Sequence, residues 1–323
     1  MRPWSSRFRG ASVLLACALG VAAPSRALAG PLLVSDGGKK IRSAAKWELL
    51  RRAEVATALG ARAGYGALLA TDLESFAAKE SAAEETVLDG KAVLKRAKIA
   101  ATTRLGTIFF DVACFIPRGG RVSAAPAFLM VGTPDWKEKL DPSIAEMDDE
   151  FWPVATIVSR GCAAASFAAD QAAEPGATNC VAKWAAAARA ARAWMSSDAR
   201  LDAARVTIVG HSAAGEAAMW AFAADRDFAA LCCTAERSLK RRGEDFRDLL
   251  SLAAPRPVFL ASGASDVPVG ATAPEETAAV DTAAVWALYG VKPGVVHRAR
   301  PGVHGIIRAD WEFFLEGVGG MVK

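Results

Sequence analysis

The sequence predicts an α/β fold, a three-layer α/β/α sandwich with a mainly parallel sheet. Three observations predict it. From residue 127 to the C-terminus, short runs of β-branched and aromatic residues alternate with Ala-rich helical stretches. Those short runs are apolar throughout, as strands covered on both faces are, rather than alternating apolar with polar. No Pro- or Ser-rich linker and no internal repeat of fixed period interrupts the series, so one domain over residues 30–323 is the economical reading.

In chain order, residues 30–80 read as a polar lead-in followed by one or two helices. Trp47, Leu49, Leu50, Val55 and Leu59 recur there at roughly helical spacing. Residues 86–116 alternate well enough for strands, clearest at 107–112, and Pro117-Arg118-Gly119-Gly120 is a turn. Residues 127–131 (AFLMV) are a short buried-type strand. Beyond them come a helix over 154–159, a strand over 162–167 and a helix over 181–195. A β-branched strand over 206–209 runs into a helix over 213–223. A strand over 229–233, a helix over 245–252 and a strand over 258–261 follow. The chain closes with a helix over 275–288, a strand over 295–297 and a helix over 308–315.

Charge narrows the function classes. The formal net charge of +4 arises from Lys+Arg 39 against Asp+Glu 35. Arg2, Arg7, Arg9 and Arg26 all lie within the first 29 residues, which contain no acid. The remainder is therefore formally neutral, and nothing favours a nucleic-acid partner. Residues 1–29 themselves read as a secretory signal peptide: a basic start, an apolar core over 11–23, and Ala27-Leu28-Ala29 as a small-x-small cleavage site. That core is too short to span a bilayer. The expectation is an exported, periplasmic or secreted protein with no membrane association after the leader is removed. Five cysteines remain beyond the leader, without CxxC metal spacing. Cys162 and Cys180 are candidates to close a surface loop; Cys114, Cys232 and Cys233 lie in apolar runs and read as small core residues.

The segment that carries chemistry is Val206-Thr207-Ile208-Val209-Gly210-His211-Ser212-Ala213-Ala214-Gly215. A strand enters Gly-His-Ser and passes directly into a helix, which is the context of a nucleophile elbow. The turn crowds its neighbours, and Gly210, Ala213, Ala214 and Gly215 are all small. Ser212 is the candidate nucleophile and needs a base. His211, adjacent along the chain, is expected to point elsewhere and pack beneath the elbow. His297 falls in a predicted strand and reads as a satisfied, partly buried histidine. His304 lies in the loop Arg300-Pro301-Gly302-Val303-His304-Gly305 after the last strand and is the candidate base. Asp266 follows a predicted strand and gives the order Ser, Asp, His, with Glu236 as the rival acid. The backbone N–H of Ala213 and those of Gly132 and Thr133, after the strand at 127–131, are the candidate oxyanion donors. Trp136 in the same loop is a candidate sugar-stacking residue. No HExxH, carboxylate cluster, P-loop or GxGxxG is present, and the expected chemistry needs no metal and no cofactor.

With these residues in place, the chain resembles the glucuronoyl esterases, carbohydrate esterases of the α/β-hydrolase superfamily. Residues 47–65 (WELLRRAEVATALGARAGY) are similar to that family's opening segment, with a Trp, paired arginines and a Tyr-Gly. Trp152-Pro153-Val154 with Ser159-Arg160-Gly161, Ala254-Pro255-Arg256-Pro257, and Pro301-Gly302-Val303-His304-Gly305 are similar to its later motifs. The family's elbow reads Gly-x-Ser-Arg-x-Gly, which accounts for glycine at 215 rather than 214. Its catalytic acid occupies one of two places, matching Glu236 and Asp266. The resemblance implies a serine esterase working through an acyl-enzyme on a small-molecule or polysaccharide ester of the plant cell wall. The chain departs from the pattern at Ala213, where the family has an oxyanion-binding arginine, at Glu216, where it has lysine, and in a short stretch over 233–252. Those departures keep two other readings open: an acetyl or short-acyl esterase, and a non-catalytic carbohydrate-binding protein on the same scaffold.

Overall fold

The computed structural model describes residues 31–62, 73–81, 84–119, 124–132, 148–234, 243–266, 272–302 and 304–321. The signal peptide expected over 1–29 lies outside these residues. A first helix runs over 44–61, started by the Ser43 side chain, which accepts the Lys46 N–H, and passing through a π-helical turn at Trp47–Arg51. Its predicted apolar spacing holds in part: Trp47, Val55 and Leu59 are fully buried, whereas Leu49 is 85% exposed. The predicted helical character of the region ends there, because Leu73–Glu80 is a strand, β1. The segment ESFAAKE, with two alanines and three charged residues, has no strong strand propensity of its own; pairing antiparallel with β3 (Ala92–Thr103) decides its state.

Among the described residues, ten strands form one sheet. A short β2 (Glu85–Val87) pairs with β3, and β3 pairs antiparallel with β4 (Gly106–Pro117). β4 then pairs antiparallel with β6 (Ala163–Phe167), and from there the sheet is parallel. Its order continues through β5 (Ala125–Val131), β7 (Leu201–His211), β8 (Ala230–Thr234), β9 (Val258–Gly263) and β10 (Val295–Arg300). The predicted strands and helices after residue 127 all form. The sheet is the mainly parallel one the apolar runs predict, with an antiparallel extension at one edge.

Successive strand residues bury themselves in two separate cores, one on each face of the sheet. On β5, Ala127, Leu129 and Val131 face one core, and Phe128 and Met130 the other. The first core receives the helices Cys180–Met195 and Ser212–Ala224 with Trp184, Trp194 and Trp220. Eight alanines of Cys180–Met195 are buried, so small side chains let this helix lie close to its neighbours. The second core is closed by the helices Val154–Ser159 and Arg308–Met321, where Trp152 and Trp311 meet at 5.3 Å. Helices on both faces of one sheet make the three-layer sandwich. All five cysteines of the described residues are free thiols. Cys162 and Cys180 therefore do not close a loop; Cys114, Cys232 and Cys233 are buried, as their apolar runs predict.

Candidate active site

In an α/β sheet the side chains that meet a ligand gather at the carboxyl ends of the parallel strands. Here that rim is where the elbow lies. β7 ends at His211, in extended conformation at φ −128°, and Ser212 opens the helix Ser212–Ala224 at φ +54°. A non-glycine residue in the left-handed region costs about 1–2 kcal/mol. The strand before it and the helix after it hold Ser212 in that conformation, the backbone arrangement of a nucleophile elbow. Gly210 makes the sharp turn feasible. A Cβ on it would lie 2.7 Å from Gly215 Cα and closer still to the Ala214 carbonyl oxygen. The backbone of the helix's first turn thus packs directly on residue 210, and the close approach falls at Gly215, as the shifted glycine of the sequence predicts. Ala213, next in the helix, is exposed.

Sheet register brings the other ends alongside. Met130 pairs with Val209, so Gly132 leaves β5 beside the elbow. His211 pairs with Thr234, the last residue of β8. Arg300 at the end of β10 pairs with Gly263 at the end of β9. Beyond those ends the two loops are joined, since Ser265 donates its N–H to the Gly302 carbonyl at 3.0 Å. This places the backbone of Asp266, in the turn Ala264–Asp266, next to the loop that carries His304. The Asp266 side chain, and Glu236, Thr133, Trp136 and Tyr65 altogether, lie outside the described residues.

The His304 loop is fastened by an arginine that sequence reasoning did not single out. Arg300 Nε donates to both carboxylate oxygens of Asp310 at 3.0 Å, and Nη2 donates to the Gly305 carbonyl at 2.8 Å. Asp310, fully buried at the start of the helix Arg308–Met321, also accepts the Ile307 N–H at 3.0 Å. The loop is therefore tied at both shoulders. An Asp three residues after a free N–H at a helix start is the capping pattern that offered a signal.

His211 departs from expectation. Its imidazole does not turn away from the rim; it lies 4.4 Å from the His304 ring, centroid to centroid, at a 39° tilt. Its Nδ1 is 2.6 Å from Thr234 Oγ1, and Phe151 meets its ring edge-on at 5.5 Å. Burial first, then the positive fields of His304 and Arg300, push its pKa down to about 4, so at neutral pH it is an uncharged ring. His297 behaves as expected: half-buried on β10, with Nε2 2.8 Å from Ser262 Oγ. An open trough of about 640 Å³, lined in part by Phe109, Asp111 and Gln171, lies on the antiparallel extension. In the sheet order, β6 and β5 lie between that extension and the elbow strand.

No family model matches the chain. Carbohydrate esterase MZ0003, from an unknown prokaryotic organism, is 24% identical across 91% of this chain and 89% of its own length. A glucuronoyl esterase from Solibacter usitatus superposes with a TM-score of 0.69 at 21% identity, covering 90% of this chain and 96% of that one. A CE15 glucuronoyl esterase from Teredinibacter turnerae gives 0.66 at 19% identity, covering 91% and 89%. A promiscuous CE15 esterase from a marine bacterial metagenome gives 0.68 at 18% identity, covering 90% and 96%. The chain thus has the fold of these esterases and is similar to carbohydrate and glucuronoyl esterases.

Proposed function

We propose that the chain is a serine carboxylic-ester hydrolase acting on carbohydrate esters of the glucuronoyl type. The observation that carries the reading is Ser212 at φ +54° on the strand-to-helix turn, with the His304 ring against the residue preceding it. Strain of this kind is kept where it positions a reacting group. The relatives named above are carbohydrate and glucuronoyl esterases, which supports the same chemistry here.

In the proposed reaction Ser212 Oγ attacks the ester carbonyl carbon and gives its proton to His304. The carbonyl oxygen becomes an oxyanion held by the Ala213 N–H and by an N–H at Gly132–Thr133. The tetrahedral intermediate collapses, the ester C–O bond breaks, and the leaving alkoxide takes the proton from His304. Water, deprotonated by His304, then hydrolyses the acyl-enzyme and restores Ser212. Asp266, or Glu236 in its place, orients the imidazole and stabilises the imidazolium. The proposed route uses no cofactor. We place the enzyme outside the cytoplasm on the strength of the leader; among the described residues no helix is long and apolar enough to cross a membrane.

Ala213 favours a second reading, an acetyl or short-acyl esterase. An alanine where the resembling family carries an arginine leaves fewer donors for the oxyanion, and losing one such donor costs about 2.7–4 kcal/mol elsewhere. One experiment tests both. The full chain is treated with a fluorophosphonate probe, then assayed on glucuronate methyl and benzyl esters beside acetylated xylan and nitrophenyl acetate. Labelling at Ser212 with turnover of glucuronate esters is the expected result. Labelling with turnover of acetyl esters alone selects the second reading, and no labelling of folded protein refutes both.

A further inference from the structure

We propose that His211 is a positioning residue. Anchored by Thr234, its ring forms the wall against which the His304 imidazole is set for proton transfer. The inference rests on the reading of Ser212 and His304 as nucleophile and base.

An elbow by itself requires nothing of the residue before the serine except that it fit. Here that residue is a half-buried imidazole held from three sides. Thr234 Oγ1, 2.6 Å from Nδ1, fixes the rotation of the ring about its own axis. Register reinforces this, because His211 and Thr234 are paired across β7 and β8. Phe151 closes one side edge-on, its ring at 84° to the imidazole. The His304 ring, at 4.4 Å, covers another. The His304 loop is meanwhile tied by Arg300 through the Gly305 carbonyl. Two supports thus bear on the His304 loop, one on the backbone of the next residue, Gly305, and one on the His304 ring.

The chemical character of the support matters as well. An imidazole that accepts a proton from Ser212 becomes cationic in the transition state. A neutral aromatic ring beside it tolerates and attracts that charge, whereas a second cation would oppose it. Burial, with His304 and Arg300 nearby, keeps His211 uncharged down to about pH 4. The wall is therefore anchored, and neutral above about pH 4.

Three variants of the full chain test this. His211→Asn keeps a hydrogen-bonding group for Thr234 and removes the ring. His211→Phe keeps a ring and removes the bond. Thr234→Val removes the anchor alone. Each is measured for kcat and KM on nitrophenyl acetate, for fluorophosphonate inactivation rate, and for melting temperature. The expected result is a fall in kcat and inactivation rate of about 10- to 100-fold in His211→Asn, the scale of an ångström's misplacement, with KM almost unchanged. His211→Phe retains most of the rate, and Thr234→Val lies between the two. A folded His211→Asn protein within twofold of the parent in kcat and in inactivation rate overturns the proposal. So does a folded His211→Phe that fails as badly as His211→Asn. Failure of the esterase reading looks different: the unaltered chain then shows no labelling that Ser212→Ala removes.

Discussion

Gly210→Ala puts the elbow to its most direct test. The added methyl carbon would stand 2.7 Å from Gly215 Cα, with the Ala214 carbonyl oxygen closer. Carbon atoms rest at about 3.5–4.0 Å, so one backbone segment must retreat by about 1 Å. Neither obstacle is the end of a flexible side chain. Both belong to the first turn of the helix Ser212–Ala224, which is itself buried against its neighbours. Overpacking of this kind costs about 1–3 kcal/mol. At about 2–4 °C per kcal/mol for chains of 150–250 residues, the melting temperature should fall by about 2–12 °C. Ser212 sits between strand and helix and moves with them, so the rate effect should exceed the stability effect. About 1 Å of misplacement costs about 100-fold. Thermal denaturation and the rate of fluorophosphonate labelling measure the two losses separately. Gly305→Ala is the control: it adjoins His304, yet a Cβ there meets nothing within 4 Å, and it should leave melting almost unchanged. A Gly210→Ala protein with the parent's melting temperature and labelling rate would refute the packing argument.

Ser212→Ala should abolish labelling and nearly all ester hydrolysis while leaving the protein folded; undiminished turnover sinks the nucleophile. Ser212→Gly should melt above Ser212→Ala by the equivalent of about 1 kcal/mol, because only glycine is at ease at φ +54°; in an ordinary helical position the order reverses. Asp266→Asn should lower kcat by orders of magnitude and Glu236→Gln much less, and the opposite ranking transfers the acid's role to Glu236. Arg300→Met should strand the buried Asp310 carboxylate, at a cost of about 3–5 kcal/mol, visible as a large fall in melting temperature. Asp198, bonded to Arg200 and Lys95, has its carboxyl held well below the usual range, chiefly by the Arg200 guanidinium. Its contribution is complete above its unfolded pKa of about 3.9 and is lost as pH falls toward the lowered folded value; Asp198→Asn should flatten that acid-side decline in stability. Ala213→Arg, with Glu216→Lys to prevent capture of the new cation one turn away, should raise kcat on glucuronate esters more than it lowers KM. An unchanged kcat would mean a site shaped for another ester.

Local signals and distant ones were not equally legible. The parallel half of the sheet was readable because a strand buried on both faces must be apolar along its length, as Phe128-Leu129-Met130 and Cys232-Cys233 are. The elbow was readable because its demands are local: small residues, a strand before and a helix after. β1 was not, since a stretch of weak strand propensity becomes a strand only by pairing with β3. Nor was the Arg300–Asp310 pairing: the cap that Asp310 makes on the Ile307 N–H follows a local pattern, but the arginine ten residues away acquires meaning only when a loop folds between them. Thr234 offered no signal at all, as a β-branched residue ending a strand is unremarkable until register sets it against His211.

His211 shows why a sound rule can mislead at such a place. Along a strand, neighbouring side chains point to opposite faces, so a histidine beside the nucleophile is expected to face away from it. That rule holds only while the backbone stays extended. His211 is extended, but Ser212 has turned to φ +54°, and the alternation stops between them. The serine is swung out of the pleat, and the two side chains need no longer occupy opposite faces. The histidine is left at the sheet's carboxyl rim, where it meets Thr234 on one side and His304 on another. The same left-handed turn that presents Ser212 therefore frees the preceding residue to meet the His304 ring, and the strain of one position supplies geometry to two.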